Sequence, residues 1–244
     1  MKTFLTIVFL SFIVLSNSSA SKPENEFPKN NFPEGAWHII NESVEHTMVA
    51  ADGFCMITQY DRVNKLFAHT WGGNCHFDNS KLVIDIKFDS YDKSNVGKTK
   101  TFVFHRKKDG KFITDLNGKE MVWTQVDEGN KNLAGNWRIT QRRQDGKMVD
   151  IPLRARRTLK LLSATRFQWA AINIETGEFS GTGGGTYTFK DGKYTENIEF
   201  FSRDNSRVGA SLSFDARLEN GNWIHSGLSS KGDPIYEVWS RMKE

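Results

Sequence analysis

Leu82, Ile84, Ile86 and Phe88 fall on one side of an extended chain, while Asp85, Lys87 and Asp89 fall on the other. A period of two with one apolar side predicts a half-buried β-strand. The same register recurs further on as Tyr194, Glu196, Ile198 and Phe200, with Glu196 against Ile84. Turn-forming pairs punctuate the second half at Thr176-Gly177, Asp191-Gly192, Asp204-Asn205, Asn220-Gly221 and Lys231-Gly232. Short β-branched and aromatic runs lie between them, and no amphipathic helical pattern appears. Strands are expected to begin near Trp137, Thr158, Arg166, Gly181, Lys193, Val208, Asn222 and Ile235.

The chain also repeats itself. Gly35-Ala36-Trp37 opens one segment and Gly135-Asn136-Trp137 another. Ile86 aligns with Ile198, Asp92 with Asp204, Ser94 with Ser206, Gly97 with Gly209 and Phe102 with Phe214, without a gap. A self-similar pair of this length predicts two copies of one fold. The fold class expected is all-β: two tandem antiparallel up-and-down β-barrels of about eight short strands each, closed so that no strand edge is left exposed. The expected boundaries are 34–126 for the first barrel, 127–132 for a polar linker and 133–244 for the second barrel, each half folding alone.

Alternation also selects interior residues in the second unit. Phe167 and Trp169 share a face with Tyr187 and Phe189, followed by Tyr194, Glu196, Ile198 and Phe200, and by Leu212 and Phe214. A carboxylate in such an interior is costly unless partnered, so Glu196 is a candidate for fixing a ligand's polar end or for acid–base work. The side taken by His225 is ambiguous from its strand. The run Gly181-Thr182-Gly183-Gly184-Gly185 precedes a strand rather than a helix, so it reads as a bulge and not a phosphate cradle.

Composition adds four points. Residues 1–20 join Lys2, an apolar stretch from Phe4 to Leu15 and small residues ending at Ala20, the pattern of a signal peptide cleaved near Ala20-Ser21. Secretion or export to a periplasm is therefore expected, with residues 21–33, rich in Pro and polar groups, as a disordered lead-in. A formal net charge of +4 is too small to imply a nucleic-acid partner, although Arg142, Arg143, Lys147, Arg154, Arg156, Arg157 and Lys160 form a locally basic stretch, read as a solvated loop. An oxidising destination permits a disulfide between Cys55 and Cys75, which flank a hairpin. His38, His46, His69, His76 and His105 lack metal-ligand spacing, no nucleophile elbow is present and no cofactor is expected.

Gly-x-Trp at the head of a barrel, paired with Trp239-Ser240-Arg241 at its end, resembles the lipocalin and calycin pattern. The second half, from about 133 to 243, resembles secreted bacterial lipocalin-like proteins of unknown function. The resemblance implies that Trp137 plugs one end of the barrel with Arg241 across its ring. Gly35 and Trp37 are the matching plug residues of the first half, where Gln125 replaces the arginine. It further implies a small amphipathic or hydrophobic ligand, contacted in the second barrel by Phe167, Trp169, Tyr187, Tyr194, Glu196, Ile198, Phe200, Leu212 and Phe214. About twelve extra residues after the second Gly-x-Trp strand would form a basic lid. Two alternatives stand beside this reading: a protein-interaction module with filled barrels, and a calycin-type cyclase or isomerase resting on Glu196.

Overall fold

The computed structural model describes residues 34–78, 81–106, 111–116, 119–131, 133–229 and 232–242. The expected signal peptide and lead-in lie outside these residues. Barrel one is closed by eight antiparallel strands: β1 (Gly35–Asn41), β2 (Val44–Ala51), β3 (Phe54–Asp61), β4 (Leu66–Asp78), β5 (Lys81–Asp89), β6 (Thr99–Arg106), β7 (Phe112–Leu116) and β8 (Lys119–Asp127). Barrel two comprises β9 (Gly135–Gln144), β11 (Arg156–Leu162), β12 (Arg166–Asn173), β13 (Phe179–Lys190), β14 (Lys193–Phe201), β15 (Ser211–Glu219), β16 (Asn222–Leu228) and β17 (Pro234–Arg241). Pairing of β17 with β9 closes this ring. The extra residues add β10 (Lys147–Asp150), which extends the far end of β9 as a hairpin. Among the described residues, no helix is long and apolar enough to cross a membrane.

Local chemistry sets the corners. Asp52-Gly53, Asp145-Gly146, Asp191-Gly192 and Asn220-Gly221 all have positive φ at both residues, the geometry of a type I′ hairpin turn whose twist matches the strands it joins. The gapless part of the repeat has a separate cause. Asp92 and Asp204 each cap a short 3-10 turn, at Lys93–Asn95 and Asn205–Arg207, by accepting a hydrogen bond from the backbone N–H of Ser94 or Ser206. Val208, expected to start a strand, instead ends this turn, and β15 begins at Ser211.

A β-bulge in each unit corrects the alternation. Gly72 pairs with Phe88 and Gly73 with Ile86, leaving Lys87 as an extra residue; Gly184 pairs with Phe200 and Gly185 with Ile198, leaving Glu199. Glycine is needed because the strands nearly touch: a Cβ at Gly185 would lie 2.0 Å from the Asn197 carbonyl oxygen. One extra residue reverses the faces that follow. Phe201, rather than Phe200, therefore joins the barrel-two interior against Trp169.

The reversed residues build a seam between the barrels. Phe88 packs there with Val49, Ala51, Phe54 and Met56 of barrel one and with Leu159, Leu161, Ala170 and Ile172 of barrel two. Phe200, expected to contact a ligand, instead lies 4.8 Å from the Tyr60 ring across this seam. Polar groups in the seam are matched. Tyr60, Arg62 and Arg166 all donate to Glu199, and Gln168 joins Thr58, Thr70 and Thr182. Asp127, at the end of β8, accepts from the Ser163 hydroxyl and from the backbone N–H groups of Ala164 and Thr165. The expected linker thus begins with a residue that holds a turn of barrel two.

Candidate functional site

The end of barrel two near Gly135 is closed by its tryptophan. The Arg241 guanidinium lies 4.4 Å from the Trp137 ring centroid, a cation–π contact. Trp137 Nε1 donates to the Leu133 carbonyl. Gly135 has φ +147, and any Cβ there would fall on Arg241. Arg241 also reaches Asp52 of barrel one at 2.6 Å, and Asp52 accepts from the Asn136 N–H. The equivalent end of barrel one has Trp37 edge-on to Phe112 at 5.9 Å, with Gln125 turned to the Asp127 carbonyl.

The interior of barrel two is occupied by its own side chains. Glu196 points inward and is ion-paired with Lys160, both side chains being less than 8% exposed. Lys160 belongs in sequence to the basic stretch, yet its pairing with Trp137 and Trp169 turns it into the lumen. Its ammonium lies 5.0 to 5.6 Å from the ring centroids of Phe167, Tyr194, Trp223 and Trp239. It therefore fills an aromatic cage of the kind that would otherwise take a ligand cation. Tyr187, Ile198, Phe214 and Ala216 pack in the same buried cluster, with Trp169, Phe189, Phe201 and Leu212 half-buried around it.

His225 also points inward but pairs with Glu237, at 3.2 Å, rather than with Glu196. Burial lowers the His225 pKa more than its carboxylate partner raises it. Burial raises that of Glu237, but hydrogen bonds from His225 and Trp239 hold it below its ordinary value. The pair at neutral pH is thus a neutral imidazole donating from Nδ1 to a carboxylate, with buried Nε2 left as an acceptor. Burial, followed by the charge of Glu196, pushes the Tyr194 phenol well above its ordinary pKa.

Barrel one differs at the same positions. Strand pairing puts Met48 opposite Trp37, as Lys160 is opposite Trp137. It puts Thr114 opposite Met121, as His225 is opposite Glu237. The lumen positions taken in barrel two by two ion pairs are taken in barrel one by Met48, Ile84, Thr114 and Met121. A cavity of about 100 Å³ remains there. Its walls are Met48, Ile57, Trp71, Leu82, Phe102, Met121 and Trp123, and His46, Gln59 and His69 form a polar layer in one row of register. Asp89 holds His69 at 2.7 Å. Burial raises the Asp89 pKa, but hydrogen bonds from His69, the Asp92 and Tyr91 N–H groups and Asn95 outweigh it and keep the carboxylate ionised.

Cys55 and Cys75 face this lumen as buried free thiols, not as a disulfide. The register sets Cys55 opposite Gly73, so the two sulfurs meet diagonally, in hydrogen-bond contact, instead of as direct cross-strand partners. Among the described residues no group of three His, Cys, Asp or Glu side chains could hold a metal ion.

The molecule is a tandem of two up-and-down antiparallel barrels, one with a cavity and one filled by buried ion pairs. Residues 132–244 match the model of a domain of unknown function (DUF4488). Among solved structures the chain is similar to a lipocalin-like protein from Bacteroides uniformis ATCC 8492, with 13% identity over 45% of this chain and 98% of that one and a TM-score of 0.33. It is also similar to an uncharacterized protein from Bacteroides eggerthii DSM 20697, with 15% identity over 45% and 99% of the two chains and a TM-score of 0.32. No curated protein matches the chain.

Proposed function

We propose that this protein binds a small hydrophobic molecule carrying one polar end, and that barrel one holds it. The observation that carries the reading is the partly open cavity of barrel one, with apolar walls and a polar layer at one end. Apolar cavities of about 150 Å³ admit benzene, so a partly open space of about 100 Å³ suits a short alkyl chain, or one small ring whose polar end stays at the opening. The Gln59 amide makes no hydrogen bond among the described residues, so it can address a ligand hydroxyl without breaking an existing bond. The sequence expectation placed the ligand in barrel two. There, Lys160 and Glu196 fill the corresponding space, and displacing either would strand a buried charge.

Calorimetric titration of the full chain with phenol tests this. Saturable binding supports the proposal, as does its loss in Ile57→Trp, which sets an indole in the space. Should Ile57→Trp not fold, Gln59→Ala serves instead: it weakens phenol and leaves benzene unchanged. Absence of phenol and benzene binding, or full binding by Ile57→Trp, rejects it. Export is part of the same proposal. N-terminal sequencing of the recovered protein would read Ser21 first if it is right and a residue before Phe4 if it is wrong.

A further inference from the structure

A groove of about 390 Å³ lies on barrel two and shares no lining residue with the barrel-one cavity. Arg138, Arg142, Arg154, Arg156, Arg157 and Arg203 line it, and no carboxylate does. Among the described residues Arg138, Arg142, Arg154, Arg156 and Arg203 form no ion pair with any acidic side chain. The usual fate of an exposed arginine is an acidic neighbour or open water. Here the guanidinium groups instead border one shared space, whose walls also include Ile139, Ile151 and Leu153.

The groove depends on an element that barrel one lacks. Barrel one joins β1 to β2 by a tight turn at Glu42-Ser43, whereas barrel two inserts β10 and the segment from Ile151 to Ala155. That segment is pinned. Arg138 donates to the Ile151 carbonyl at 3.1 Å, the Ile151 N–H bonds to the Thr140 carbonyl, and the Ile174 N–H to the Ala155 carbonyl. Arg157 Nε donates to the Arg154 carbonyl, and Arg203 Nε to the Ser180 carbonyl, so two more guanidinium groups are held in place by backbone. Pinned arginines keep part of their donor fork available at little entropic cost, which is the arrangement that recognises an oxyanion.

We infer that this groove binds a small organic phosphate or sulfate ester, the ester oxygens facing the arginines and the organic body lying on Ile139, Ile151 and Leu153. Several like charges around one space favour an anion with more than one charge or three equivalent oxygens over a single carboxylate. The site and its ligand are separate from those of barrel one, so either can fail without the other.

The test is calorimetry on the full chain with phenyl phosphate, phenyl sulfate, inorganic phosphate, benzoate and heparin, using the wild type and R154Q/R156Q. Arg154 and Arg156 make no side-chain hydrogen bond among the described residues, so the double variant should fold normally, as its thermal melt would report. Saturable 1:1 binding of phenyl phosphate or phenyl sulfate is expected, tighter than inorganic phosphate or benzoate and weakening with salt. Removing two charge-assisted contacts should cost at least about tenfold in affinity, while phenol binding in barrel one stays unchanged. The inference is overturned if neither ester binds, if R154Q/R156Q binds them as tightly, or if only a long polyanion such as heparin binds, which would mark a diffuse basic surface.

Discussion

Replacing Lys160 and Glu196 by the residues barrel one uses at those positions, Met and Ile, gives the sharpest quantitative test of the filled lumen. Each single change strands its partner. Glu196→Ile leaves the Lys160 ammonium, 7% exposed, without its carboxylate. Lys160→Met leaves Glu196 beside the phenol of Tyr194. Breaking one side of a buried ion pair costs about 3–5 kcal/mol. Replacing both sides by apolar groups of similar size is neutral or stabilising by about 1–4 kcal/mol, but here the double variant also loses a desolvated cation–π cage worth about 2 kcal/mol or more. The two terms nearly cancel, so K160M/E196I should lie within about 2 kcal/mol of wild type, well above either single variant. Urea denaturation at pH 7, followed by circular dichroism and with unchanged m-values, measures all four corners of the cycle. Additive single effects would refute the pairing, and a single Glu196→Ile more stable than wild type would show that the carboxylate does not face Lys160.

Three further outcomes follow from the geometry. Trp137→Ala should cost about 3–5 kcal/mol, as large aromatic truncations do, and a cycle with Arg241→Ala should be non-additive, since the guanidinium lies on the ring. Burial lowers the pKa of both His225 and His38 in the folded state, so their contribution is fully present above the unfolded value of about 6.5 and is lost as pH falls below it. The urea midpoint should therefore drop between about pH 7 and 5, and H38N/H225N should flatten that dependence; an unchanged slope would show that other groups set it. A chain of residues 133–244 alone would expose Leu159, Leu161, Ala170 and Ile172, forfeiting about 1.5–3 kcal/mol for each large side chain. It should bind a hydrophobic dye and self-associate, whereas a monomeric, dye-silent half would show that the seam contributes little.

Alternation, turn pairs and the repeat made the barrels legible, because a period of two and an Asp-Gly or Asn-Gly corner each have one structural reading. The plug was legible too, since Gly135, Trp137 and Arg241 act over fixed positions at the two ends of one ring. Phe200 was misplaced because one extra residue, Glu199, reverses the faces after it, and nothing in the strand's composition announces which residue is extra. Lys160 was hidden in a run of arginines. The signal that could have found it was the repeat: at equivalent positions Met48 becomes Lys160 while Ile84 becomes Glu196, two opposite charges appearing together inside one barrel. The barrel-one cavity had no comparable signal. It is volume left between Met48, Leu82, Met121 and their neighbours, and unfilled volume is a property of packing that no residue pattern spells out.

Methionine-methyl NMR during a phenol titration tests the central claim most directly. Met48 and Met121 line the barrel-one cavity, whereas Met56 and Met242 pack at the seam and Met148 lies exposed on β10. Ring-current shifts at Met48 and Met121, saturating together while Met56, Met148 and Met242 stay fixed, are the predicted result. Saturable binding that leaves Met48 and Met121 unmoved would place the ligand elsewhere and contradict the assignment of the site to barrel one.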